Sequence, residues 1–214
     1  TCVAPDHVLI ERALVAPFVK AYAAALRQML RKDPQTSADY GRIVNAAHFD
    51  RLVAMLEEGR VVHGGRHDAS DLYIEPSLLA DLPADAAALS GEVFGPILPI
   101  IETEGIDDAI ARINVEDQPL AVYLFSSGRA LQERVIRETS SGAVVLNDVV
   151  IQLASPDLPF GGIGASGIGS YHGKAGFDTF SHLKPVLKKG TRIDPSLRYP
   201  PYGARKRRWF RRLM

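Results

Sequence analysis

Apolar residues fall along this chain in two alternating rhythms. Val8 to Ile10 is a short apolar run that predicts a strand. From Ala13 to Arg31, the residues Leu14, Phe18, Tyr22, Leu26 and Leu30 recur every four positions, the signature of one helix face, and Pro34 ends the pattern. Ile43 to Leu56 predicts a second helix, with Gly59 beyond its C-terminal end. Arg60 to His63 and Leu72 to Ile74, separated by a Gly64-Gly65 turn, predict a hairpin. Further on come a continuous apolar strand (Ile97 to Ile101), a helix (Ile106 to Ile113), a strand (Leu120 to Phe125), a helix (Ala130 to Thr139) and a strand (Ala143 to Leu146). Strands alternating with helices at this spacing predict the α/β class, with a parallel sheet flanked by helices. Parallel strands are buried on both faces, which is why they read as unbroken apolar runs.

Between Ile151 and Gly173 both rhythms stop. Pro156, Pro159 and six glycines (Gly161, Gly162, Gly164, Gly167, Gly169, Gly173) predict a long irregular loop, and loops of that length in a compact domain are usually functional. Gly162-Ile163-Gly164-Ala165-Ser166-Gly167 has the G-x-G-x-x-G spacing of a dinucleotide turn, but Leu158-Pro159-Phe160 precedes it where a strand is required. The glycines are better read as places where backbone meets backbone or takes a positive φ.

The 214 residues, 46% hydrophobic and 23% charged, are sufficient for a globular core. Formal net charge is zero, yet Arg205, Lys206, Arg207, Arg208, Arg211 and Arg212 crowd the last ten positions, so the body is acidic and the tail basic. An acidic body argues against nucleic acid as a partner. The tail, which also carries Trp209 and Phe210, reads either as a solvated terminus or as a weak contact with a membrane surface. No apolar run approaches the roughly 20 residues of a membrane span. The six histidines show no metal-ligand spacing, so no metal site is expected.

Cys2 is the single cysteine, which excludes an internal disulfide and leaves either a buried hydrophobe or a reactive nucleophile. A lone thiol fits a reducing compartment, so the expected location is cytoplasmic, with membrane association through the tail as an addition. The absence of an initiating Met leads to the expectation that the chain begins within something larger or after processing. Glu92, in Ser90-Gly91-Glu92-Val93-Phe94-Gly95-Pro96, is a carboxylate at the entrance to a buried strand; on its own it reads as a solvated loop residue.

Taken together, Thr1-Cys2-Val3-Ala4-Pro5-Asp6, Glu92-Val93-Phe94-Gly95-Pro96 and Leu158-Pro159-Phe160-Gly161-Gly162 with Ser166-Gly167 resemble, in the same order, the aldehyde dehydrogenase superfamily. Tyr171-His172-Gly173-Lys174 and Phe177 to His182 resemble its class 3 and coniferyl aldehyde dehydrogenase branch. The resemblance runs from Thr1 to about Leu187 and covers the catalytic half of such an enzyme.

It implies that Cys2 is the catalytic nucleophile, passing through a thiohemiacetal and a thioester, with its own backbone N–H as one oxyanion donor. It implies that Glu92 and Phe94 bind NAD or NADP at the nicotinamide ribose, and that Asn147, Phe160 and His172 border the substrate, an aromatic (coniferyl-type) or medium-chain aldehyde. It further implies a catalytic domain over 1–182, an oligomerisation strand over 183–190 that forms a homodimer, and a basic, aromatic tail over 191–214. The coenzyme-binding domain, the general-base glutamate and the oxyanion-hole asparagine of the family lie before the cysteine and are not found in this chain. The isolated chain is therefore expected to be nearly inactive, because preorganised groups supply most of the catalytic stabilisation. Gly91 also stands where the family usually carries a second glutamate. A different class stays open beside this: a truncated relative that keeps the scaffold as an assembly module.

Overall fold

The structure, a computed structural model, describes residues 1–213 and divides into two compact units, Thr1–Phe180 and a second that begins at Ser181.

In the first unit the strands are β1 (Val8–Glu11), β2 (Arg60–His63), β3 (His67–Asp68), β4 (Tyr73–Ile74), β5 (Ser77–Ala80), β6 (Ile97–Thr103), β7 (Ala121–Leu124) and β8 (Ala143–Leu146). The helices are α1 (Val15–Leu30), α2 (Ala46–Leu56), α3 (Ala87–Ser90), α4 (Ile106–Val115), α5 (Arg129–Glu138) and α6 (Gly173–Thr179). A four-stranded sheet runs β1-β6-β5-β2, parallel at β1/β6 and β5/β6 and antiparallel at the β2 edge. β7 and β8 form a separate parallel pair in register from Ala121/Ala143 to Leu124/Leu146. The α/β class stands, with one antiparallel edge strand added to a parallel core.

The predicted hairpin is replaced by two other pairings. β2 lies against β5, not against Tyr73–Ile74, which instead pairs with β3. Gly64 and Gly65 both take positive φ (77° and 92°) and turn the chain out of β2 before the short β3/β4 ribbon forms. Ser77 then closes the detour: its hydroxyl accepts from Gly65 N–H at 2.8 Å and donates to the Glu75 carbonyl at 2.6 Å. Alternation along a strand reports which face is buried, not which neighbour is paired.

The predicted first helix begins as a 3₁₀ turn at Arg12–Leu14 and is α-helical from Val15. Phe18, Tyr22, Leu26 and Leu30 are half-buried, Leu14 is exposed, and Tyr22 meets His63 of β2 edge-on at 5.6 Å. The second helix begins at Ala46 rather than Ile43, because Asn45 caps it by accepting from His48 N–H at 2.8 Å.

The main core joins α2 to the sheet. Phe49, Leu52, Met55 and Leu56 pack with Ile74, Leu79, Ala88, Val93 and Ile97. A smaller cluster of Ile110, Val122 and Val135 holds α4 and α5 on the β7/β8 pair.

An ionic cluster fixes the segment before α2. Arg66 pairs with Asp33 (3.0 Å) and Glu75 (3.2 Å), Arg42 pairs with Asp71 (2.8 Å), and Gln35 Nε2 donates to Asp68 and Asp71. Three carboxyls are held below their ordinary range: Asp33 chiefly by its bond to Arg66, Asp71 by its bond to Arg42, and Asp68 by the Ser70 hydroxyl. A carboxyl depressed in the folded state stabilises above its unfolded pKa, and that contribution vanishes as pH falls through the folded value. Thermal melting is therefore expected to be flat from neutrality down to about pH 5 and to drop below about pH 4, where free Asp takes up its proton. Melting unchanged down to about pH 2.5 would exclude this contribution.

The second unit holds a 3₁₀ turn at Ser196–Arg198 and α7 (Ala204–Leu213). Asp194 gathers Lys189 (3.0 Å), Arg198 (3.2 Å) and the Tyr199 hydroxyl (2.7 Å). Residues 183–190 form no strand within the chain, and Leu183, Val186 and Leu187 are exposed. No described helix is long and apolar enough to cross a membrane.

Candidate active site

Cys2 sits in a turn closed by Ala4 N–H donating to the Thr1 carbonyl at 3.0 Å. The thiol is exposed, while its neighbour Val3 is 1% exposed. The burial of Val3 anchors the turn and leaves the sulfur outside. Two long-range bonds hold the same segment. Asp6 Oδ1 accepts from Val93 N–H at 3.1 Å, and the Tyr123 hydroxyl on β7 donates to the Val3 carbonyl at 2.6 Å. From Asp6 the chain runs into β1 beside β6.

The Asp6 bond joins the Cys2 turn to the loop of Glu92 and Phe94, 87 positions away from Asp6 itself. Glu92 is exposed, and Phe94 is half-exposed at a φ of 47°. A strained phenylalanine needs external support, and α2 supplies it. Arg51 donates through Nη2 to the Val93 carbonyl and through Nε to His48 Nδ1 at 3.3 Å. A guanidinium only donates, so Nδ1 is the acceptor and the His48 proton sits on Nε2, which donates to the Phe94 carbonyl at 2.8 Å. Beneath the loop, Gly95 leaves room for Leu52: a Cβ there would lie 2.5 Å from Leu52 Cδ2.

Phe160 and His172 come together in a second group. Phe160 and Tyr171 exchange backbone hydrogen bonds, both at 2.8 Å, across an isolated antiparallel bridge. The Phe160 ring stacks on His172 (centroids 6.1 Å apart) and meets Tyr171 edge-on at 5.4 Å. His172 takes a φ of 80°, and its Nδ1 lies 3.3 Å from the Leu158 carbonyl, which can only accept, so Nδ1 carries the proton. The glycines allow this fold-back. A Cβ on Gly161 would overlap the carbonyl oxygen of Gly169, and one on Gly162 would overlap that of Ser166. The close-approach reading of the glycine pattern is what the structure contains.

Asn147 follows β8 directly, at a φ of 59°. Its Oδ1 accepts from Ser126 N–H (2.8 Å) and its backbone N–H donates to the Leu124 carbonyl (2.8 Å), so it ties together the C-terminal ends of β7 and β8. The Asn147 side chain is thus engaged in the fold through its Oδ1. The C-terminal ends of parallel strands are where α/β proteins build sites.

Asp6, His48, Arg51, Tyr123 and Gln152 escaped the sequence reading. His48 and Arg51 carry a weak signal, being three apart on one helix face. Tyr123 reads locally as an ordinary strand aromatic. Among the described residues no group of three or more His, Cys, Asp and Glu is placed to hold a metal ion.

An exposed thiol thus sits on a turn joined through Asp6 to a loop bearing a carboxylate and an aromatic ring, on a mainly parallel α/β scaffold. Residues 1–186 match the aldehyde dehydrogenase family, and the chain belongs to that family. It is 45% identical over 204 residues to the 4,4'-diaponeurosporen-aldehyde dehydrogenase of Staphylococcus aureus, covering 94% of this chain and 44% of that protein. It is 40% identical over 207 residues to the dimeric NADP-preferring aldehyde dehydrogenase of Mus musculus, covering 96% and 46%. A solved structure of the substrate-bound state of Staphylococcus aureus AldH superposes with a TM-score of 0.85 at 42% identity, over 100% of this chain and 47% of that one. The chain spans less than half the length of the curated relatives it matches.

Proposed function

We propose that this chain is the nucleophile-bearing part of an NAD(P)-dependent aldehyde dehydrogenase that oxidises an aromatic or medium-chain aldehyde to the acid. The observation that carries the reading is the exposed Cys2 thiol on a turn bonded through Asp6 to the Glu92–Phe94 loop. The loop fits a nicotinamide nucleotide: an exposed carboxylate suits ribose hydroxyls, and an exposed ring on a pinned backbone suits a flat partner. Glu92 and Phe94 would hold NAD or NADP, which supplies a hydride acceptor when bound.

Cys2 Sγ, as thiolate, forms a bond to the aldehyde carbonyl carbon, and the carbonyl oxygen becomes the oxyanion. The Cys2 backbone N–H donates to that oxygen. Loss of the carbon-bound hydrogen as hydride leaves a thioester on Cys2, and water releases the acid and restores the thiol. In this reading Phe160, His172 and Asn147 border the aldehyde.

The exposed Leu183, Val186 and Leu187 support pairing of the 183–190 segment with a second copy, giving a homodimer. Helix α7, with Trp209 and Phe210 among arginines, supports a weak contact of a cytoplasmic protein with an anionic membrane surface. The domain assignment follows: 1–182 for chemistry, 183–190 for pairing, and the remainder as the basic tail.

The direct test is capture of the acyl group. The protein is incubated with aldehyde and NAD(P), quenched in acid, digested and analysed by mass spectrometry. A thioester is expected on the peptide containing Cys2 and on no other. An acyl group found elsewhere, or none under turnover, would sink the reading.

A further inference from the structure

Behind the Cys2 turn lies a half-buried hydrogen-bond chain that the proposed chemistry does not use. Gln152, in the 3₁₀ turn Ile151–Ala154, places Nε2 3.0 Å from the Tyr123 hydroxyl, which lies 2.6 Å from the Val3 carbonyl. The proton inventory fixes its direction. Val3 C=O can only accept, so Tyr123 gives its single proton to Val3. The Tyr123 oxygen must then accept, so Gln152 presents its NH₂ group and turns Oε1 away. That Oε1 is buried and takes no hydrogen bond from any described residue. The three groups come from β7, from the turn after β8 and from the residue next to Cys2, with 120 positions between Tyr123 and Val3.

We propose that Tyr123, oriented by Gln152, is the positioning residue for the nucleophile. It commits the carbonyl oxygen of Val3 to its own hydroxyl, and so fixes the Val3–Ala4 peptide plane, whose Ala4 N–H closes the turn around Cys2 on the Thr1 carbonyl. The negative end of that carbonyl is then spoken for, and the Thr1–Ala4 turn that carries the sulfur keeps one conformation. Cysteine reacts as the thiolate, so a turn held in one conformation keeps the sulfur in one electrostatic setting. Chained hydrogen bonds polarise one another, so the Gln152 donor strengthens the Tyr123 bond it does not itself make. This inference rests on the reading of Cys2 as nucleophile.

The test uses three variants of the protein that contains this chain. Tyr123→Phe deletes the donor. Gln152→Glu keeps the shape but replaces a donor by an acceptor, so the Tyr123 proton turns to the new carboxylate and Val3 is abandoned. Gln152→Leu removes the support yet leaves Tyr123 free to bond Val3. Three quantities are read: the Val3 carbonyl ¹³C shift in HNCO spectra, the alkylation rate of Cys2 by iodoacetamide at pH 7, and kcat and KM for aldehyde.

Tyr123→Phe and Gln152→Glu are expected to move the Val3 resonance and to slow alkylation about fivefold, as loss of one ordinary hydrogen bond would. Both should lower kcat with little change in KM. Gln152→Leu should slow alkylation less than about twofold on the same basis. Equal alkylation in all four proteins overturns the inference, and so does equal slowing in all three variants together with lower melting temperatures, which marks a packing role. The two readings fail separately. If wild-type protein takes no acyl group on Cys2, the functional reading fails. If wild type and variants acylate at one rate, only the positioning role fails.

Discussion

Replacing Cys2 with alanine is expected to lower aldehyde oxidation by roughly 10⁴-fold or more, the scale on which losing a covalent nucleophile acts. The size follows from chemistry. Without sulfur there is no thiohemiacetal and no thioester. The fold should barely notice. The thiol is exposed, so the stability change should stay within about 0.5 kcal/mol. Both halves are checked together, by NAD(P)H formation and by urea denaturation of the same preparation. Near-normal turnover by the variant would remove Cys2 from the mechanism. A large fall in stability would mean that the sulfur packs, and would make the activity loss uninformative.

Leu52→Ala should have the largest effect on stability, about 2–5 kcal/mol, the range for truncating a fully buried leucine. Leu52 is 0% exposed, at the centre of the cluster that joins α2 to the sheet. Its position adds a second consequence. The δ-carbons occupy the space below Gly95, next to the loop of Glu92 and Phe94. Truncation hollows out the support of that loop, so cofactor affinity should fall along with the denaturation midpoint.

A double-variant cycle separates the two effects. Gly95→Ala alone pushes a methyl into Leu52 and should cost about 1–3 kcal/mol as overpacking. With Leu52→Ala the same methyl enters the vacated space. The pair should therefore lose less than the two singles added together. Strict additivity in urea titrations would show that Leu52 and the loop are not coupled.

The two proposals differ in what a sequence reader can see. Cys2, Glu92, Phe94 and the glycine turn stand out in one dimension through a resemblance carried by compact runs of residues, and their proposed roles rest on that resemblance. The helix faces were found equally well. Phe18, Tyr22, Leu26 and Leu30 lie on the half-buried side of α1, and β8 spans the predicted Ala143 to Leu146. Burial repeats with the backbone period, so the chain displays it directly.

Partners are another matter. The pairing of β2 with β5 rather than β4 could not be read, since a period of two names a face and not a neighbour. Asn45 could have been found as a cap, because a polar residue before a helical run is a local signal. Tyr123 could not: its hydroxyl acquires meaning only when β7 passes behind Val3.

Local order in this chain was thus written in adjacent residues: the elements, their buried faces, the single cysteine and the glycines that let backbone touch backbone. What holds that sulfur and its companion loop in place came only with the folded arrangement. Asp6 to Val93, Arg51 and His48 to the Phe94 loop, and Gln152 through Tyr123 to Val3 are all contacts between distant segments. A hydrogen bond across such a separation depends on where two elements pack, and periodicity along one element carries no record of the other.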